Sequence, residues 1–187
     1  MVGDAEATKR RLLDAATAEF AKYGIAGARV DRIAAAAAAN KAQIYHYFGS
    51  KEGLFDAVFD EFVAQTLREV PIDPTDLPEY AGRLYDGYLR HPELTRIASW
   101  YRLERAETAE PLQSILAANQ SKIDAIAKAQ ADGVLPARFD PADLLALVLT
   151  VAQMWTAMTP EYHDLVRKES VAHRRKVITD TVRTLLS

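Results

Sequence analysis

Residues 40 to 51 read Asn-Lys-Ala-Gln-Ile-Tyr-His-Tyr-Phe-Gly-Ser-Lys. Their polar members can hydrogen-bond, stack and carry positive charge, but they cannot run a reaction alone. At a helical period, Ile44, Tyr47 and Phe48 fall on one side, and Ala42, Gln43, Tyr45 and His46 on the other. The first side can anchor a short helix, and Tyr47 is expected to pack there. The second offers an amide, a phenol and an imidazole outward. Lys41 and Lys51 place a cation at each end. Asn40 is a good N-cap, Gly49 a good stop, and Ser50 a cap for the next helix. Such a helix suits the major groove of DNA, where an amide can both donate to and accept from adenine. An ordinary amphipathic helix on a protein surface would read the same way.

The elements that would hold this helix lie just upstream. Val30, Ile33, Ala34 and Ala37 make a second short amphipathic helix, with Arg29 and Arg32 beside it. Only Ala38 to Asn40 separate the two, which is the layout of a helix-turn-helix. Three runs carry a resemblance: Val30-Asp31-Arg32-Ile33-Ala34-Ala35-Ala36-Ala37, then Asn40 to Phe48, then Ser50-Lys51-Glu52-Gly53-Leu54-Phe55. Together they resemble the DNA-binding domain of the TetR family of transcriptional repressors, over roughly residues 8 to 60. The Ile-Tyr-x-Tyr-Phe-x-x-Lys core with Leu54 downstream is more specific than a generic helix-turn-helix. One position departs from the family: its usual turn glycine is Ala38 here. Either Ala38 is strained, or the turn has shifted and Asn40 takes the left-handed conformation.

The resemblance implies an all-α protein. An N-terminal three-helix helix-turn-helix domain is expected over residues 1–50, and a helical C-terminal ligand-binding and dimerisation domain over 51–187. It implies DNA contacts by Lys41, Ala42, Gln43, Tyr45, His46 and Lys51. Gln43 is the base reader, Ala42 allows close approach to a thymine methyl, and the two lysines meet phosphate. Lys51 would do so near a helix N-terminus. Lys9, Arg10 and Arg11 would reach phosphate as helix one begins. The expected partners are a palindromic operator, a second copy of the chain and a small apolar effector.

Composition bounds the alternatives. Net charge is −3, with no global basicity. Residues 1–55 carry eight Lys/Arg against six Asp/Glu, and the remainder fifteen against twenty. The helix-turn-helix end is therefore mildly positive and the rest acidic. Cysteine is absent, which excludes disulfides, thiolate chemistry and a zinc finger. The polar, acidic start argues against a signal peptide, and the longest apolar run, Leu144 to Ala152, is short of the ~20 residues a membrane span needs. A cytoplasmic location is expected. No glycine-rich phosphate loop or nucleophile elbow appears. His46, His91, His163 and His173 are scattered without metal spacing. Glu169 and His173 could share a helix face as a surface contact. No catalytic residue, metal or cofactor is expected. The alternative function is a helical dimeric adaptor acting mainly through protein contacts.

Taken in order, Leu12, Ala16, Phe20 and Tyr23 line one face of a helix over Thr8 to Tyr23, stopped by Gly24. A helix from Ser50 carries a wide apolar stripe of Leu54, Val58 and Phe62, with Phe55, Phe59 and Val63 beside it. Pro71, Pro74 and Pro78 break the chain. Helices then follow over Glu79 to Arg90, from Pro92, and from Pro111 to Asp132-Gly133. Two more are expected over Leu144 to Met158, behind an Asp140-Pro141 start, and near Ser170 to Leu186. Candidate effector-pocket residues are Phe62, Tyr85, Tyr88, Trp100, Tyr101, Met154, Trp155 and Met158. A ligand among Trp100, Tyr101 and Trp155 would press on the Phe62 end of its helix. Leu144 to Trp155 is too apolar to face water, so its own domain or a second subunit must cover it.

Overall fold

The computed structural model describes residues 2–105 and 110–187. Among them are ten α-helices and no strand. They are α1 (Val2–Gly27), α2 (Val30–Ala36), α3 (Lys41–Phe48), α4 (Lys51–Glu69), α5 (Leu77–Arg90), α6 (Pro92–Arg105), α7 (Gln113–Ala131), α8 (Pro141–Gln153), α9 (Pro160–Leu165) and α10 (Val171–Leu185). The chain forms two compact units. One comprises Met1–Ala64 and His91–Ser114, the other Gln65–Arg90 and Ile115–Ser187. The first unit thus takes in the helix-turn-helix region together with α6.

In the first unit, Leu12, Ala16 and Phe20 recur every fourth residue on α1 and are fully buried. Ile33 of α2, Ile44 of α3, and Leu54 and Phe55 of α4 are likewise fully buried. Phe20 meets Phe55 edge-on, with ring centroids 5.1 Å apart, a favourable arrangement for two quadrupoles. Tyr23 departs from its expected place on the buried face. It is 40 % exposed, and the Arg32 guanidinium sits 4.3 Å from its ring centre. Helix α1 loses regular geometry at Gly24 (φ 71), where Trp100 of α6 packs so closely that an added Cβ would lie 2.9 Å from its ring.

The second unit is built on α5, α8 and α10. Leu77, Tyr80, Ala81, Leu84 and Tyr85 of α5 meet Leu144, Leu145, Val148 and Ala152 of α8, and Ile178 and Val182 of α10. The Arg175 guanidinium bonds Glu79 at 2.6 Å and Asp86 at 2.9 Å, fastening α10 to α5. Helix α8 is shorter than the apolar run suggested. It ends at Gln153, followed by a 3-10 turn over Met154–Ala157. Pro160 bounds the run on its far side: it disfavours helical backbone at Thr159, which is extended at ψ 158 and caps α9 with its hydroxyl. Ala37, Ala38 and Asn40 also resolve the turn question. Ala38 has φ 49, and Asn40 is extended at φ −105.

Candidate nucleic-acid interface

The turn between α2 and α3 closes as a Schellman motif. The Ala39 N–H donates to the Ala34 carbonyl at 2.9 Å and the Ala38 N–H to the Ala35 carbonyl at 3.2 Å. Ala38 occupies the left-handed position that usually belongs to glycine. Arg11 of α1 reinforces this turn. Its Nε donates to the Ala37 carbonyl at 3.1 Å and its outer nitrogen to the Thr8 hydroxyl at 3.0 Å. Arg11, expected at phosphate, is therefore engaged within its own domain. Arg10 pairs with Asp14 at 3.1 Å and approaches Glu61 at 3.6 Å.

Helix α3 begins with a closed capping box. The Asn40 side chain accepts from the Gln43 N–H at 2.9 Å, and the Gln43 Oε1 accepts from the Asn40 N–H at 3.0 Å. The helix ends at Gly49, whose φ is 75 and whose N–H donates to the Tyr45 carbonyl at 2.9 Å. Ser50 then caps α4 by accepting from the Gly53 N–H at 2.9 Å. Ile44 anchors the inner side at 0 % exposure. Tyr47 and Phe48 are only half-buried, so the expected packing of Tyr47 is partial. It meets His46 edge-on at 5.1 Å and Phe48 at 6.2 Å.

Outward stand Lys41, Ala42, Tyr45 and His46, all exposed, with Gln43 half-buried at the N-terminal end. Lys41 reaches Asp31 at 3.1 Å, an exposed pair of small energetic weight that an arriving phosphate can replace. Lys51 donates to the Ala26 carbonyl at 3.5 Å. The capping box changes what Gln43 can offer. One hydrogen bond already engages its oxygen, and its N–H₂ has no partner among the described residues; a donor of that kind meets a purine N7, guanine O6 or thymine O4.

Sequence reasoning missed Glu104 of α6. Its carboxylate accepts from the Ile25 N–H at 3.0 Å and the Ala26 N–H at 2.7 Å, beside the carbonyl that Lys51 touches. Arg96 of the same helix donates to the Ala21 carbonyl at 2.8 Å. These contacts span some 75 residues, and no local pattern announces them.

The comparisons with known proteins agree with this architecture. Residues 12–58 match the family described as bacterial regulatory proteins, tetR family. Residues 76–184 match the tetracyclin repressor-like C-terminal domain. The chain belongs to the TetR family of transcriptional regulators. It is 40 % identical over 159 residues to the HTH-type transcriptional repressor SCO4008 of Streptomyces coelicolor, covering 84 % of this chain and 82 % of that one. It is 36 % identical over 121 residues to the repressor NicS of Pseudomonas putida, covering 60 % and 57 %. Among solved structures it is similar to a transcriptional regulator of S. coelicolor, SCO4942. The TM-score is 0.84 at 38 % identity, with 95 % of this chain and 97 % of that one covered. TetR proteins are regulators of transcription rather than enzymes, and this chain carries the family's two-part, all-helical plan. No described helix is long and apolar enough to cross a membrane.

The aromatic residues expected to line an effector pocket fall in both units. Phe62, Trp100 and Tyr101 belong to the first. There Tyr101 and Phe62 both meet Phe59, at 4.7 and 5.4 Å between ring centres. Tyr85, Tyr88, Met154, Trp155 and Met158 belong to the second. Tyr85 and Trp155 are buried in its core. Trp155 donates its indole N–H to the Arg174 carbonyl at 3.3 Å. Tyr88 accepts a hydrogen bond from Gln153 at 3.2 Å, and burial pushes its phenol above the ordinary range, so it stays neutral.

Proposed function

We propose that this TetR-family regulator is a ligand-responsive repressor that binds a palindromic operator in the cytoplasm as a homodimer. The observation that carries the reading is the outer face of α3. Lys41, Ala42, Tyr45 and His46 stand exposed on a helix held by the closed Asn40–Gln43 box and the buried Ile44. A short helix with a rigid start and a polar outer face fits a major groove. Gln43 reads a base edge through its N–H₂. Ala42 lies against a thymine methyl, and Tyr45 and His46 meet bases or phosphates. Lys41 and Lys51 meet phosphate and set the register.

A regulator of this plan needs a second input, and the interior of the helical second unit is where a small apolar molecule with a polar handle would enter. Tyr88 and Gln153 offer hydrogen-bonding groups among apolar neighbours there. Any effector that weakens operator binding must itself bind the operator complex more weakly by the same factor, typically equivalent to about 1–3 kcal/mol.

The test is a mobility-shift titration of the full chain against its own upstream region, with random DNA as reference. A specific complex that footprints as two half-sites supports the reading. Equal affinity for both DNAs would end it in favour of an adaptor acting through protein contacts.

A further inference from the structure

Helix α2 is short, and its core face is small. It buries Val30, Ile33 and Ala34, with Ala37 just beyond its end. Alanine methyls make shallow ridges, so packing alone leaves the roll and slide of such a helix loosely set. Its start also lacks a local cap. Arg29 holds the N-cap position in extended conformation, and its side chain makes no cap bond. At N3, where a capping box has Glu or Gln, stands Arg32.

Helix α1 supplies what is missing. The Glu19 carboxylate accepts from the Arg29 N–H at 2.9 Å and from the Arg32 Nε at 2.8 Å, and its side chain is only 10 % exposed. Arg32 is fixed in turn by donating to the Gly27 carbonyl at 3.1 Å and by lying over the Tyr23 ring. The box is thus assembled from two helices. The far end of α2 is held from the same helix, by Arg11 on the Ala37 carbonyl. Glu19 and Arg11 stand eight residues apart on α1, about 12 Å at the helical rise, and Arg29 and Ala37 are eight apart on the facing segment. The signs suit the ends. A carboxylate meets the start of α2 and a guanidinium its finish, each complementing the helix dipole.

We propose that Glu19 is a positioning residue for operator recognition: by clasping the start of α2 from α1, it sets the angle at which α3 meets the groove. This rests on the reading of α3 as the DNA-facing helix. Only residues 37–40 join α2 to α3, so a roll of α2 carries α3 with it. Base-edge bonds need that placement held to about 0.5 Å, whereas phosphate contacts position the protein without reading sequence. Loss of the clasp therefore costs specificity before it costs general affinity for DNA.

The experiment measures, by mobility shift of the full chain, the ratio of affinities for a fragment of its own upstream region and for random DNA, well below the melting temperature of every variant. Glu19→Ala should lower that ratio about ten-fold or more, with random-DNA affinity within about two-fold of the wild type. Glu19→Gln keeps an acceptor for the Arg29 N–H and should lose less. Arg32→Glu supplies the N3 carboxylate of an ordinary capping box. Added to Glu19→Ala, it should restore much of the ratio, although its charge weakens binding to both DNAs alike. A purely structural role would lower the folded fraction, which reduces both affinities together and leaves the ratio alone. If Glu19→Ala keeps the wild-type ratio, or if Arg32→Glu restores none of it, the positioning role is overturned and the DNA reading stands. If the wild type itself shows no preference for the upstream fragment, the DNA reading falls and the positioning role falls with it.

Discussion

Gln43 holds two positions at once. Its oxygen closes the capping box on Asn40, and its N–H₂ is without a partner among the described residues. The two roles separate by substitution. Gln43→Glu keeps an acceptor for the Asn40 N–H and places a negative charge at a helix N-terminus, where it is welcome. Thermal stability should therefore stay within about 0.5 kcal/mol of the wild type, while operator binding falls because the donor is gone. Gln43→Ala should lose the cap, about 0.5–2 kcal/mol, together with about 1–3 kcal/mol of operator affinity and little affinity for random DNA. Equal losses on the two DNAs would remove Gln43 from base reading. Five residues upstream, Ala38 at φ 49 takes on roughly 1–2 kcal/mol of left-handed strain. Ala38→Gly relieves it but adds about 0.5–1 kcal/mol of backbone entropy to the unfolded chain. The net gain should be about 0.5–1 kcal/mol, read as a melting temperature raised by roughly 1–4 °C. The sequence made the Asn40 cap and the missing glycine legible, because both are local, and it missed Gln43 as the other half of the capping box. It left open whether Ala38 or Asn40 adopts the unusual conformation, because either would connect the same two helices.

Helices join through contacts that local patterns do not encode. The Arg175 guanidinium lies across α5, and a Cβ on Gly82 would come within 2.8 Å of its central carbon. A flexible arginine could ordinarily step aside, but this one is pinned by Glu79 and Asp86. Gly82→Ala must then break one of those bonds or move α10, at a cost of about 1–3 kcal/mol. The cost should largely disappear in an Arg175→Ala background, and a double-mutant cycle of denaturant midpoints measures the coupling. Additive losses would show that Gly82 serves something other than Arg175. In the first unit, Glu104 holds the Ile25 and Ala26 amides where α1 bends. The helical periods and the prolines gave α5, α6, α8 and α10 their places, because packing faces and breakers are written in single segments. The 3-10 turn at Met154 was hidden in an apolar run, because no breaker stands between Gln153 and Met158. Glu104 left no sign, since its partners lie nearly eighty residues away. The expected aromatic lining was drawn from residue type alone. Type cannot separate Trp100, set against Gly24 in one unit, from Trp155, set among core residues in the other.

At the scale of the molecule, the proposed reading of a palindrome calls for a second copy. A palindrome presents two half-sites about one helical turn apart, ~34–36 Å, and one helix-turn-helix reads only one of them. Helix α8 offers a surface for a two-fold partner. Its own unit buries Leu144, Leu145, Val148 and Ala152. The opposite side leaves Ala146 and Thr150 exposed one turn apart, with Leu147 and Val151 half-covered between them. A face of small and aliphatic residues allows close helix approach and gains by leaving water. Thr150→Arg places a long charged side chain in the middle of that face without touching the buried stripe. The variant should keep its helical content and the stability of the isolated subunit, and sediment as a monomer where the wild type sediments as a dimer. Its operator affinity should fall by far more than its affinity for random DNA. Phosphate contacts are the control. Lys51→Ala should leave the dimer intact, weaken both DNAs alike and lower the salt slope of binding by ~1 per half-site. If Thr150→Arg remains a dimer with full operator affinity, the two-fold face lies elsewhere on the chain. If it becomes a monomer yet still grips the operator as tightly as the wild type, the palindromic reading itself fails. A single α3 would then be carrying the specificity that the proposal divides between two.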